Sequence, residues 1–272
     1  MTTNAFVQSS RRIYSMIVLM TLPFVGVSLD MSVPSLPYMQ QALNTSQSMT
    51  QYTIALFALG FSILQVIIGS LSDSIGRKKL IVLGSFLNLT CIASILVSRH
   101  IESILIFRLL QGICTSLFIV PTRAIVMDIY EGRALKKQLS LLFMAWSLSV
   151  VISPFIGGYL QSYFGWRACY VFMLIYTAAI LMSAIIVLQE TVADKRKLSM
   201  QHLYQSVTLI TKDTIFIRLA LSAGILGSMF LVFHSVGTFF IQVTLQYSAI
   251  QYGYCSLLIG LSTFVGSLPY CC

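Results

Sequence analysis

Charge is what this chain has least of. Only 9% of its 272 residues are Asp, Glu, Lys or Arg, against roughly 25% in soluble domains. A soluble fold of this size could not cover its surface with so few charges. The 16 glycines are scattered, which excludes a collagen-like repeat, and the apolar content excludes disorder. Alternating ten-residue strands are absent, which argues against a membrane β-barrel. No HExxH, GxSxG or P-loop occurs, so neither a common hydrolase nor ATP-driven export by this chain is indicated. The six cysteines are Cys91, Cys114, Cys169, Cys255, Cys271 and Cys272, with no CxxC pair. They suggest neither metal nor redox chemistry, and no cofactor is implied. A terminal Cys-Cys resembles a prenylation signal, but such signals anchor otherwise soluble proteins.

What remains is apolar. Hydrophobic residues make up 57% of the chain and mean hydropathy is +0.87. A spanning helix needs about 20 mostly apolar residues. Eight such runs are read: 14–36, 52–72, 79–98, 103–127, 139–160, 168–188, 217–240 and 250–270. Hydrocarbon requires internally satisfied backbone groups, so an all-α multi-spanning membrane protein is expected. The first run follows Arg11 and Arg12 and lacks a small-residue cleavage site, so it reads as a retained span.

Basic residues outnumber acidic ones, 17 to 8. They sit in short clusters between apolar runs, which fits membrane topology better than nucleic-acid binding. Arg11 and Arg12 precede the first run. Arg77, Lys78 and Lys79 follow the second, and Arg133, Lys136 and Lys137 the fourth. Lys195, Arg196, Lys197 and Lys212 follow the sixth, while the opposite loops hold only Arg99 and Arg167. Cytoplasmic loops retain Lys and Arg, so both chain ends are expected in the cytoplasm. The charged stretch 189–216 divides six spans from two. The expected organisation is a six-span bundle at 1–188, a linker at 189–216 and a two-span partial bundle at 217–272.

The loop after the second run reads Gly69-Ser-Leu-Ser-Asp73-Ser-Ile-Gly76-Arg77-Lys78-Lys79. Physically, Gly69 would permit close helix approach and Gly76 a positive φ in a tight turn. Asp73 would accept hydrogen bonds at the start of the next helix. The loop resembles the signature GxLxDxxGRK of the major facilitator superfamily. Further motifs follow in order. Asp30-Met-Ser-Val-Pro34-Ser-Leu-Pro37 is similar to a first-span signature of drug:proton antiporters. Arg108-Leu-Leu-Gln111-Gly112 is similar to RxxQG, and Arg123-Ala-Ile-Val-Met-Asp128 to the end of that helix. Ser153-Pro154-Phe-Ile-Gly157-Gly158 is similar to the antiporter motif GPxxGG, with Ser153 replacing its first Gly. Phe164-Gly165-Trp166-Arg167 follows, as in the bicyclomycin-resistance (Bcr/CflA) group. The resemblance covers roughly 14–188 with specific motifs; from 217 onward only hydropathy supports it.

The resemblance implies a drug:proton antiporter of the bacterial inner membrane, taking small amphipathic compounds and protons. A buried acid such as Asp30 is costly in hydrocarbon and marks a functional site by default. Asp30 and Arg108 lie at similar depth, so proton and substrate coupling is assigned to them. A purely structural Asp30–Arg108 or Asp30–backbone pair is the alternative. The resemblance further implies a cytoplasmic latch at Arg123 and Asp128, with Asp128 pairing with Arg77. It also implies a pathway-sealing role for Pro154, Gly157 and Gly158, whose residues equally fit a kinked packing helix. Gln111, Gln65, Tyr52 and Trp146 are candidate cavity-lining residues, with Phe57 and Met144. His234 is either a relay group or a helix-contact histidine. The family has twelve spans and this chain shows eight. Either the antiporter is completed by further spans, in the same or a second chain, or the product is a non-transporting remnant.

Overall fold

The computed structural model describes residues 14–191, 208 and 211–267. Arg11, Arg12, the linker charges Asp194 to Lys197 and the pair Cys271-Cys272 lie outside the described residues.

Among the described residues, the eight predicted runs are covered by nine helical segments, and no strand occurs. They are α1 (Tyr14–Ala42), α2 (Gln47–Ile63), α3 (Gln65–Ile75), α4 (Arg77–Val97) and α5 (Ile101–Ile129). Then come α6 (Gly132–Phe164), α7 (Arg167–Ile186), α8 (Thr214–Phe239, continuing as a π-helical turn over Phe240–Thr244) and α9 (Ala249–Ser267). Counting described residues only, six of them, α1 and α4 through α8, are each long and apolar enough to cross a membrane.

One run, the second, differs from the eight-span expectation. It is not one straight span: Gln47–Ile63 and Ile67–Ile75 are bent by 56°. Leu64 between them sits at φ −100°, ψ 0°. Gly60 and Ser62 precede the break, and the Ser62 hydroxyl bonds back to the Leu59 carbonyl at 3.0 Å. Gly/Ser sequences with such back-bonding are a recognised cause of bends. The eighth run holds α9, Ala249–Ser267.

α1 is broken where Asp30 sits. One helical piece ends at Asp30, a 3₁₀ turn covers Val33–Ser35, and a second piece starts at Leu36. Pro34 denies the Asp30 carbonyl its α-helical donor, and Pro37 does the same to Val33. Backbone groups freed within a membrane must be satisfied by neighbours. Here Leu36 N–H bonds to the Val33 carbonyl. α8 does the rest: Thr238 Oγ1 donates to Val33 O at 3.1 Å and Gln242 Nε2 to Pro34 O at 3.0 Å.

The main core joins α1, α4, α5, α6 and α7, with Phe24, Ile92, Ile104, Phe118, Tyr170, Met173 and Ile180 at 1% exposure or less. A smaller cluster of Val33, Leu36, Ile54, Phe239 and Tyr252 ties α8 and α9 to α1 and α2. That contact uses the second half of α8; residues 214–229 are exposed apart from the half-buried Ile217. α8 therefore closes against the first group at the end remote from Gly76 and diverges toward the Gly76 end, while α9 stays against α6 as far as Gly260, which meets Val151. At the closed side, Gln51 Nε2 donates to Ser235 O at 3.0 Å, and the Tyr159 and Tyr254 hydroxyls lie 2.9 Å apart. Arg167 caps the end of α4, donating to Leu96 O and Ser98 O at 3.2 Å each.

Candidate functional site

A cavity of about 500 Å³ lies where the helices diverge, between α1, α6, α8 and α9. Its wall is mostly apolar: Leu29, Val150, Val151, Phe230 and Leu231 line it with Trp146. Ser147 and Ser228 add hydroxyls, and Asp30 is the one charged side chain among the residues that line it. Pockets of this size, apolar with a few polar groups, suit small organic ligands. Asp30 is 2% exposed. Among the described residues its carboxylate has neither an ion pair nor a hydrogen-bond donor. An intramembrane acid without a structural partner, facing a cavity, is a functional-site candidate by the cost of putting it there.

Arg108 is fully buried nearby but does not pair with Asp30. Nε donates to Thr53 O at 3.1 Å, Nη2 to Ser28 O at 3.1 Å and Nη1 to Gln111 Oε1 at 3.0 Å. Its guanidinium carbon lies 4.9 Å from the Phe57 ring centre and 5.6 Å from that of Tyr170. The planar fork thus ties α5 to α2 and to the piece of α1 that ends at Asp30. Equal depth brought the two residues to one region, but azimuth separates them.

The same contact accounts for Gln111. It is buried beside Arg108, and its carbonyl accepts from Asn88 Nδ2 at 3.2 Å and from Thr115 Oγ1 at 2.8 Å. Gln111 packs the junction of α4 and α5 rather than lining the cavity. Gln65 sits at the bend after α2, and Tyr52 is 53% exposed. Neither lines the Asp30 cavity, nor does Phe57 or Met144. Of the candidate lining residues only Trp146 does. It also borders a second cavity of about 420 Å³ with Leu22, Arg123 and Phe143.

Gly157 and Gly158 explain how α6 reaches α1 and α9. A β-carbon at Gly157 would run into the Met31 carbonyl oxygen, and one at Gly158 into that of Ala249. The first glycine lets α6 press on the broken part of α1 beside Asp30. Pro154 lies inside α6, and the Ser153 hydroxyl turns back to Ser149 O at 2.5 Å. We predict that Gly157→Val lowers the thermal midpoint of the purified protein, since overpacking costs about 1–3 kcal/mol. An unchanged midpoint would show that the crossing can open without loss.

The signature loop forms a separate cluster at the other end of the helices. Gly76 adopts φ +110° between α3 and α4, a region that favours glycine. The Arg77 guanidinium bridges Asp73, at 3.3 Å, and Asp128. Thr191 Oγ1 donates to Asp128 Oδ2 at 3.0 Å, and Lys78 Nζ to Ile185 O at 3.1 Å. Three sequence expectations change here. The acceptor at the start of α4 is Glu190, not Asp73: Arg77 N–H donates to Glu190 Oε1 at 2.8 Å. Gly69 makes no close approach, since a β-carbon there would meet nothing within 4 Å. Arg123 is not in the cluster with Asp128. Five positions on a helix amount to about 140° of rotation, so the two face different sides. Glu190 and Thr191 belong to this cluster, and sequence reading missed them. The only signal was an acid directly after the sixth apolar run. Because Asp128 keeps 29% of its side-chain exposure, its pair with Arg77 is worth no more than about 1 kcal/mol.

His234, buried in α8, places Nδ1 3.2 Å from the Tyr252 hydroxyl of α9. Its ring lies 4.2 Å from that of Phe230, in the cavity wall. Among the described residues no cluster of three or more His, Cys, Asp or Glu could hold a metal ion.

Comparison with known proteins agrees with this architecture. A family model described as Major Facilitator Superfamily matches residues 18–270. The bicyclomycin resistance protein homolog of Haemophilus influenzae is 27% identical over 229 residues, 84% of this chain and 55% of that protein. Multidrug resistance protein D of Escherichia coli is 27% identical over 174 residues, 64% of this chain and 44% of that protein. The chain spans about half the length of the curated relatives it matches. In fold it is similar to a crystal structure of a bacterial homologue of the human lysosomal transporter Spinster. The TM-score is 0.68 at 16% identity, over 95% of this chain and 62% of that one.

Proposed function

We propose that this chain, which belongs to the major facilitator superfamily, is part of a proton-coupled exporter of small amphipathic compounds. The observation that carries the proposal is Asp30, a buried acid with no partner among the described residues, in the wall of a cavity of about 500 Å³. A carboxyl there can hold a proton or face a cationic or polar substrate, but not both at full strength. Competition of that kind couples two solutes without a cofactor. Drug resistance in the names of relatives supports small-molecule cargo.

Access is through the diverging end of the helices, which carries the Arg77–Lys79 and Arg133–Lys137 clusters. Under the positive-inside rule that end, with both chain termini, faces the cytoplasm of a bacterial plasma membrane. The Arg77, Asp73, Asp128 and Glu190 cluster acts there as a latch whose contacts differ between access states. The six-span bundle 1–188 and the helices beyond the 189–216 linker are the two moving parts. Further spans, in the same or a second chain, complete the second part.

The test uses ethidium, a cationic aromatic probe that matches Asp30 and Trp146. Cells expressing the full-length protein should accumulate several-fold less ethidium than controls, and a protonophore should erase the difference. Equal accumulation with and without the protonophore would refute proton coupling.

A further inference from the structure

Asp30 is contributed by α1, and the cavity wall opposite is built by α8 and α9. Those two helices carry a buried polar pair that the export reading has not used. The Tyr252 hydroxyl lies 3.2 Å from His234 Nδ1, and the two side chains are 0% and 2% exposed. Tyr252 packs with Val33 and Leu36, just past Asp30 on α1. Phe230, one turn before His234, covers the imidazole on the cavity side. The order across the junction of the two helical groups is therefore Asp30, Tyr252, His234.

A tyrosine hydroxyl both donates and accepts, and a neutral imidazole has one donor and one acceptor nitrogen. A helix-contact bond would need neither an acid on one side nor a titratable ring on the other; a glutamine would serve equally. We propose that His234, reached through Tyr252, is a second proton-exchanging group that works with Asp30, which deepens the exporter reading and rests on it. A proton leaving the Asp30 carboxyl passes to the Tyr252 oxygen, directly or through one water. Tyr252 gives its own proton to His234 Nδ1. The hydroxyl is regenerated, and a carboxylate and an imidazolium remain on opposite sides of the junction. Their attraction favours the closed contact made by Thr238 and Gln242 on the broken part of α1. Exchange of protons and movement of the two helical groups thereby become one event.

The other titratable or charged groups around this path are few. Arg108 from α5 faces the same piece of α1, but its nitrogens are held by Ser28, Thr53 and Gln111. Tyr170 from α7 lies over Arg108. Cys255 on α9 is exposed. α6 lines the cavity with no titratable side chain.

The experiment is ethidium export by the full-length protein in proteoliposomes under an imposed pH gradient, for wild type, His234→Gln and Tyr252→Phe. Glutamine keeps an acceptor for the Tyr252 hydroxyl but cannot titrate, so it separates proton exchange from packing. H234Q should lower gradient-driven export at least about tenfold. It should also flatten the pH–rate profile, because glutamine does not titrate. Y252F, nearly isosteric, should give the same flattening, while ethidium counterflow without a gradient persists in both. A wild-type pH–rate profile in both variants overturns the inference. Ethidium-evoked proton release from the wild type separates the levels: its absence overturns the exchange reading and this inference with it. Release by the wild type with unchanged variant profiles overturns this inference alone.

Discussion

Asp30→Asn abolishes proton-driven ethidium export by the full-length protein and leaves the protein folded. The substitution is nearly isosteric, and no described residue bonds to the carboxylate, so no structural contact is lost. An amide carries no exchangeable charge state. The cavity keeps its shape and the ring surfaces of Trp146 and Phe230, so ethidium counterflow continues while accumulation against a gradient falls to the level of protein-free vesicles. The loss expected is at least about tenfold, in the range that a misplaced proton group costs. A structural Asp30 would show the reverse pattern, with poor folding and coupling retained in whatever protein survives. Comparing folded yield with coupling therefore decides between the readings.

Arg108→Ala has the largest expected effect on stability. A fully buried guanidinium is tolerated because three acceptors on three helices and two aromatic faces surround it. Truncation empties the volume of one of the largest buried side chains and strips donors from Ser28 O, Thr53 O and Gln111 Oε1. Cavity creation in a core costs about 2–5 kcal/mol and an abandoned buried acceptor about 1–3 kcal/mol. The expected total is about 3 kcal/mol or more, read as a clear fall in thermal midpoint and in folded yield. Arg108→Lys keeps the charge but replaces a planar fork by a point donor, so it should recover only part of the loss. A midpoint equal to wild type in the alanine variant would mean that the three-helix tie is dispensable.

The spans were legible because hydrocarbon imposes a length and an apolar composition that few other structures satisfy. The bend between Ile63 and Gln65 was not, because no proline marks it. The break in α1 was written in Pro34 and Pro37. Its repair was not: the donors Thr238 and Gln242 lie about 200 positions away, and only the folded contact brings them to Val33 and Pro34. Depth along a helix follows from counting residues, which placed Asp30 and Arg108 in one region. Direction around the helix axis depends on packing, so the partner of Arg108 came out as backbone and glutamine. The separation of Arg123 from Asp128 needed only the 100° step per residue, and the motif resemblance hid it. Glu190 reaches the start of α4 from beyond the sixth apolar run, a contact with no local signal. The glycines of the Pro154 motif fit a packing helix as well as a sealed pathway, and they pack against the carbonyls of Met31 and Ala249.

The central claim is that the Asp30 carboxyl exchanges a proton for substrate in the cavity between the two helical groups. The most direct measurement is proton release on ethidium binding to the purified full-length protein in lightly buffered detergent solution. The expected result is release that saturates with ethidium in the wild type and is sharply reduced in Asp30→Asn. Ethidium binding with no proton released by the wild type, or with release unchanged in Asp30→Asn, would contradict it.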